Sequence, residues 1–282
     1  MTSMHIKTAL VTGASSGLGL ITATALACNN YEVIMVCRNL AKAQAAAATI
    51  KQKYPNATLH IRLADLSHIE TAATAMKQIA KDFPIIDLLV NNAGLYISSH
   101  QQSADGHELT FANNHLSYVN VTYHLLPNLQ QAPNARIVNV ASQAQLYGKI
   151  IENDWQAATR TYQAMRAYAN SKLYNIMFTN WLAKDLTNTN ITVNCMHPGG
   201  VNTNFAKGAK GLTGFVFTWL GKLLRTPEKG AETIIWLCLS DEVSGKTGGY
   251  YYDKKLIKAQ GGAYSERLLE SLKTYSLQMI GL

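Results

Sequence analysis

Short runs of β-branched and aliphatic residues alternate with longer helix-like stretches along the whole chain, and this alternation limits the fold more than any other feature. The strand-like runs are Thr8–Val11, Glu32–Cys37, Ala57–Arg62, Leu88–Asn91, Arg136–Ala141, Thr192–His197 and Gly249–Tyr252. Helical stretches lie between them at Leu18–Ala27, Leu40–Lys53, Ile69–Lys81, Phe111–Leu126, Ala167–Leu186 and Glu228–Leu239. The runs are continuously apolar, as strands buried on both faces are. Such a pattern predicts a doubly wound α/β fold: a mainly parallel, seven-stranded sheet with helices on both faces. No Pro/Gly/Ser linker, low-complexity tract or internal repeat divides the 282 residues, so residues 1–282 are expected to form a single domain.

The first strand leads into Thr12-Gly13-Ala14-Ser15-Ser16-Gly17-Leu18-Gly19, at the start of a helix. A dinucleotide site of the Rossmann type needs glycine in three places: at the tight turn, where a phosphate comes closest, and where helix meets strand. Backbone N–H groups of the helix start then hold the pyrophosphate. Gly13, Ser15, Ser16, Gly17, Leu18 and Gly19 are therefore candidate cofactor contacts. Any β–α turn can be rich in glycine, and the spacing here is G-x-x-x-G-x-G, so the motif alone is weak evidence. The end of the second strand is an independent indication. No acidic residue occurs between Cys37 and Ala64, where NAD enzymes place one to hold the adenosine ribose. Arg38 stands there instead, and its planar fork suits a 2′-phosphate. NADP(H) is the expected cofactor, with a plain surface arginine as the alternative.

The chain has 25 basic and 17 acidic residues, a net charge of +8, but the basic residues are scattered and no nucleic-acid partner is expected. Cys28, Cys37, Cys195 and Cys238 sit in apolar stretches without a C-x-x-C pair and read as reduced core thiols. No histidine spacing fits a metal site. Residues 1–10 lack the apolar segment of a secretory signal, and the apolar stretch Gly211–Leu224, broken by Lys222, is too short to span a bilayer. A cytoplasmic location is the resulting expectation.

The chemistry-bearing residues follow in order. Asn91-Asn92-Ala93-Gly94 ends the fourth strand, Ala64-Asp65-Leu66 follows the third, and Ser142 follows the fifth. Tyr168-Ala169-Asn170-Ser171-Lys172 lies in the longest helical stretch, and His197-Pro198-Gly199-Gly200-Val201-Asn202-Thr203 follows the sixth strand. The Y-x-x-x-K spacing recurs at Tyr250/Lys254 and Tyr251/Lys255, so spacing alone proves nothing; only the first pair lies in a helix downstream of the serine.

With these motifs in this order, the sequence resembles the short-chain dehydrogenase/reductase family over essentially its whole length. The C-R-N strand end, Asn113-Asn114-His115-Leu116 and the long gap between Ser142 and Tyr168 are similar to its retinol-dehydrogenase-type members. The resemblance implies an alcohol–carbonyl oxidoreductase acting on a small molecule, with Tyr168 as acid/base and Ser142 on the substrate oxygen. It also implies Lys172 beside the phenol and nicotinamide ribose, and Asn114 holding a proton-relaying water. Further cofactor contacts are implied at Asp65, Leu66, Asn92, Ala93, Gly94, Pro198, Gly199, Val201 and Thr203. A homodimer or homotetramer packed through Asn113–Leu126 and Ala167–Leu186 is expected from the resemblance and the apolar content of those helices. A silent NADP-binding sensor and a protochlorophyllide-reductase-like enzyme are the alternatives; the retained Tyr168 and Lys172 disfavour the first. His115 and His197 are read as packing residues.

A free tyrosine titrates near pH 10, and bringing it to about 7 takes roughly 4 kcal/mol. One ammonium about 4 Å away at an effective dielectric near 20 supplies nearly that, so Lys172 is expected to depress the Tyr168 pKa. Residues 205–225 combine glycines with Phe215, Phe217 and Trp219 and are flanked by Lys207, Lys210, Lys222 and Arg225. A substrate lid is expected there, with its basic flanks allowing transient contact with an anionic membrane and a lipophilic substrate beneath.

Overall fold

A computed structural model describes residues 6–159, 161–201 and 225–282. Thr203 and all of the expected lid except Arg225 lie outside the described residues. The elements run β1 (Thr8–Thr12), α1 (Gly17–Cys28), β2 (Glu32–Cys37), α2 (Leu40–Lys53), β3 (Leu59–Leu63), α3 (Ile69–Asp82) and β4 (Leu88–Asn91). Next come α4 (Leu109–Phe111), a π turn (Ala112–Leu116), α5 (Ser117–Gln130), β5 (Ala135–Val140), α6 (Ala164–Asp185) and β6 (Ile191–Met196). The chain finishes with α7 (Pro227–Leu239), β7 (Tyr250–Tyr252), β8 (Lys255–Ile257) and α8 (Glu266–Met279).

The strands lie in the order β3-β2-β1-β4-β5-β6-β7-β8, and every neighbouring pair but the last is parallel. This is the doubly wound Rossmann-type sheet, with one correction: the described residues form eight strands, not seven. β8 is three residues long and its Lys255 and Leu256 are exposed, so it carries no apolar run. It folds back on β7 through Asp253 and Lys254, both at positive φ (52° and 62°), the pairing a two-residue hairpin turn requires.

Successive side chains alternate across the sheet. Leu10, Ile34, Leu89 and Ile137 face a layer containing Met76 of α3, Leu125 of α5 and Phe178 of α6. Ala9, Val33, Val90 and Val138 face Leu26 of α1, Ile50 of α2 and Ile234 of α7. Between these apolar layers runs a set of amides. Asn91 Nδ2 donates to Asn139 Oδ1 and Thr122 Oγ1, each at 2.9 Å, and Asn139 Nδ2 donates to Thr179 Oγ1 at 2.9 Å. Buried in the interior, these bonds lock β4, β5, α5 and α6 together beneath the strand ends.

The C-terminal helix α8 was not expected, although Leu268, Leu269, Leu272, Tyr275, Ser276 and Met279 follow helical spacing. It lies over α6, where Lys273 Nζ donates to Asp185 at 2.9 Å and Lys184 pairs with Glu266. Much of the apolar content of α5 and α6 is buried within one chain. Val121, Leu125, Tyr174, Phe178 and Trp181 are all 3 % exposed or less. Cys37, Cys195 and Cys238 are buried, but Cys28, at the last position of α1, is exposed, against the expectation of a core thiol. Among the described residues no helix is long and apolar enough to cross a membrane.

Candidate active site

Nearly all the segments singled out for binding sit at the carboxyl ends of parallel strands, on the side where open α/β sheets bind ligands. The sequence order reverses between β1 and β4, and there the Gly13 turn meets Asn92-Ala93-Gly94. Thr12 joins the two: its hydroxyl accepts from the Asn92 and Ala93 N–H groups at 2.9 and 3.0 Å, and its carbonyl accepts from Asn92 Nδ2 at 2.8 Å. Gly13 has φ 68°, and any Cβ there would stand 3.1 Å from the Ala93 Cα. A Cβ on Gly19 would overlap the Gly13 carbonyl. Gly19→Ala should therefore displace α1, lowering the melting temperature and weakening dinucleotide binding by about 10-fold or more. Unchanged melting and cofactor fluorescence titrations would show that the turn tolerates the methyl group.

The start of α1 is open to an anion. Ser16, at its N-cap, makes no side-chain capping bond, and the first turn contains no acidic residue. Its amide groups are thus left for a ligand's phosphates. Ser15 lies against the Cys37 thiol. Leu18 and Val201 converge on Gly230 of α7, where an added Cβ would come within 3.2 Å of the Leu18 side chain and overlap Val201 at 2.6 Å. Arg38 is exposed at the end of β2, without an acidic partner among the described residues. Asp65 is turned onto Ser67, accepting from its N–H at 3.0 Å and its hydroxyl at 2.7 Å, beside buried Leu66. These residues fit a phosphorylated dinucleotide: amides for a pyrophosphate, and a free guanidinium where an adenosine ribose would lie.

The catalytic candidates meet above β4 and β5. Ser142, two residues after β5, interacts with the Tyr168 phenol in the direction that lowers its pKa, and its hydroxyl caps Ala144 N–H at 3.1 Å. Lys172 is 3 % exposed, and its Nζ donates to the Val140 carbonyl at 3.1 Å. A Cβ on Gly94 would stand 3.2 Å from Lys172 Nζ and 3.4 Å from Asn114 Oδ1, so glycine leaves room where those two groups face each other. Asn114, in the π turn, donates through Nδ2 to the Leu95 carbonyl (2.9 Å) and the Ser171 hydroxyl (3.1 Å), while its Oδ1 accepts from Leu95 N–H (2.8 Å). Ser171, which the sequence reading left without a role, thus braces Asn114 from one helical turn below Tyr168.

The electrostatics differ from the sequence expectation. Burial pushes the Tyr168 phenol up to about 12, against a lowering contribution from Ser142, and pushes Lys172 down to about 8. The ammonium lies 5.9 Å from the Tyr168 ring centroid and is turned to a carbonyl, so desolvation outweighs its attraction for a phenolate. The P-G segment is held separately. His197 stacks on Tyr252 at 4.3 Å, Arg225 lies over the same ring, and Arg225 pairs with Asp253 at 2.9 Å. Gly199, φ 78°, fits against that ring, with Pro198 beside it.

A sequence model of the family described as short chain dehydrogenase matches residues 7–211. The chain belongs to the short-chain dehydrogenase family. Retinol dehydrogenase 14 of Mus musculus is 35% identical to this short-chain dehydrogenase over 295 residues, covering 99% of the chain and 87% of the relative. Retinol dehydrogenase 13 of Homo sapiens is 33% identical over 282 residues, covering 98% and 85%. Among solved structures, an uncharacterized protein from Mycobacterium Paratuberculosis superposes with a TM-score of 0.78 at 27% identity, covering 97% of this chain and 93% of that one. A short chain dehydrogenase from Escherichia coli CFT073, complexed with NADPH, superposes with a TM-score of 0.69 at 25% identity, covering 87% and 95%. This short-chain dehydrogenase is accordingly an oxidoreductase acting on CH–OH groups.

Proposed function

We propose that this oxidoreductase uses NADP(H) to interconvert an alcohol with an aldehyde or ketone of lipophilic character, with Tyr168 as the general acid/base. The observation that carries the reading is the grouping of Ser142 and Tyr168 beside the buried Lys172 ammonium, at the strand ends that also hold the glycine turn and Arg38. Arg38, the missing acid at β2 and the NADPH complex of the E. coli relative support the cofactor choice. Similarity to retinol dehydrogenases supports an apolar substrate, as do Leu146, Tyr147 and Ile151, exposed on the stretch after Ser142.

NADPH, when bound, supplies the hydride. The phenol of Tyr168, held protonated by burial, gives its proton to the carbonyl oxygen, and the Ser142 hydroxyl donates to the same oxygen as negative charge builds on it. Lys172 offsets that charge from the side of Val140. Alcohol oxidation needs the phenolate, which burial opposes.

The test is NADPH consumption with a panel of aldehydes and ketones of increasing chain length, measured across pH. Long apolar aldehydes should be reduced with higher kcat/KM than short ones. Lys172 is charged below its pKa of about 8, so kcat/KM should fall as pH rises through that value. No NADPH consumption with any carbonyl would overturn the reading, and a rate flat through that range would remove Lys172 from it.

A further inference from the structure

We propose that His115, Asn175 and Ser276 form a positioning chain that ties α8 to the backbone carbonyls of Asn114 and Val140, and through Val140 to the Lys172 ammonium. The proposal rests on the carbonyl-reduction reading and gives that site a dependence on a distant helix.

His115 follows Asn114 in the π turn and is completely buried. Its Nε2 lies 2.9 Å from Ser276 Oγ of α8, and its Nδ1 lies 3.4 Å from Asn175 Oδ1 of α6. Asn175 Nδ2 donates to the Asn114 carbonyl at 2.9 Å and reaches the Val140 carbonyl at 3.5 Å. That same Val140 carbonyl accepts from Lys172 Nζ.

The direction of every bond follows from the last link. Two carbonyls can only accept, so the nitrogen of the Asn175 amide must face them and its oxygen must face His115. A neutral imidazole then carries its proton on Nδ1, and Nε2 accepts from the Ser276 hydroxyl. Burial holds His115 well below its ordinary range, at about 3, so it stays neutral at working pH and acts as a fixed joint.

Packing alone would not call for this residue. The ring lies among Phe111, Tyr174, Phe178 and Trp181, where an apolar side chain would pack without needing partners. Three polar groups from three elements, all buried, are instead paired in series. Their common end point is the pair of carbonyls bordering Asn114 and Lys172. Catalytic groups displaced by about 1 Å lose on the order of 100-fold in rate, so the hold on these carbonyls matters to turnover.

The test uses the full chain with NADPH and a reducible aldehyde, comparing His115→Phe, His115→Asn, Asn175→Ala and Ser276→Ala. His115→Phe and Asn175→Ala should lower kcat about 10-fold or more while the NADPH Kd stays within about threefold. His115→Asn keeps a donor at the Nδ1 position and should recover about half the wild-type kcat or more. Ser276→Ala should act in the same direction by about threefold. Loosening Val140 takes an acceptor from the ammonium, so the alkaline limb should move to lower pH by about half a unit. The groups facing Lys172 are the rings of Tyr118 and Tyr168 and the Cys195 thiol, all held neutral by burial, so that limb reports the lysine.

Lower melting temperatures with kcat and the limb unchanged would overturn the proposal. Should His115→Phe not fold, Ser276→Ala decides by the same readouts, since it removes a single hydroxyl. A wild-type protein that consumes no NADPH defeats the carbonyl-reduction reading instead. The chain is then judged by the pH dependence of NADPH binding in the same variants, and an unshifted dependence overturns it.

Discussion

Tyr168→Phe is expected to lower kcat for carbonyl reduction by a factor on the order of 1,000, while NADPH binding changes by no more than about twofold. The substitution removes one oxygen and keeps the ring, so packing against Tyr96, 5.9 Å away, survives. What is lost is the phenol hydroxyl beside Ser142 and the proton that burial keeps on it. Cofactor affinity should hold because the glycine turn, the start of α1 and Arg38 stand on other elements. Lys172→Ala should behave differently, lowering both turnover and NADPH affinity, because its ammonium lies 5.9 Å from the Tyr168 ring and also borders Gly94. Stopped turnover with unchanged cofactor fluorescence is the diagnostic pair of results. A Tyr168→Phe enzyme retaining half its activity would remove the phenol from the mechanism.

Arg38→Asp should reverse the cofactor preference. A charge-assisted bond from a guanidinium to a phosphate contributes roughly 1.5–3 kcal/mol, so kcat/KM for NADPH should fall about 10- to 100-fold from that loss alone. The introduced carboxylate repels the 2′-phosphate and can accept from a ribose hydroxyl, so kcat/KM for NADH should hold or rise. Arg38 is exposed at the end of β2 and makes no ion pair among the described residues, so its replacement should leave the melting temperature nearly unchanged. Equal use of NADPH and NADH by the unmodified protein would show that Arg38 does not select between them.

The fold was legible where local pattern and burial agree. α2 spans Leu40–Lys53, the limits its sequence pattern predicts, because Asn39 caps it by accepting from Lys42 N–H at 2.9 Å. β8 left too short a trace, and the π turn left none, since one extra residue in a helix does not disturb apolar spacing over 14 residues of α5. The spacing of α8 was visible, but its partner was not: Ser276 meets His115 across 161 positions, which no local pattern encodes. Tyr168 and Lys172 could be singled out from spacing and order. Their electrostatics could not, because a charge at a guessed distance omits the cost of burying both groups.

The hairpin that adds β8 also bears on how copies of this chain behave when crowded. A sheet ending at β7 would offer Tyr250, Tyr251 and Tyr252 as an unpaired aromatic border, able to template the backbone of a second molecule. β8 occupies that border with three residues, flanked by Lys254 and Lys258 and carrying Lys255 itself. A neighbour arriving there meets charged side chains, Lys255 among them and Lys254 paired with Glu232, and too little backbone to pair with. At the opposite border, β3 carries His60 and Arg62, held by Glu32 and Asp82. Both margins of the sheet are thus guarded by ionic side chains, which protects the chain against fibre-like stacking.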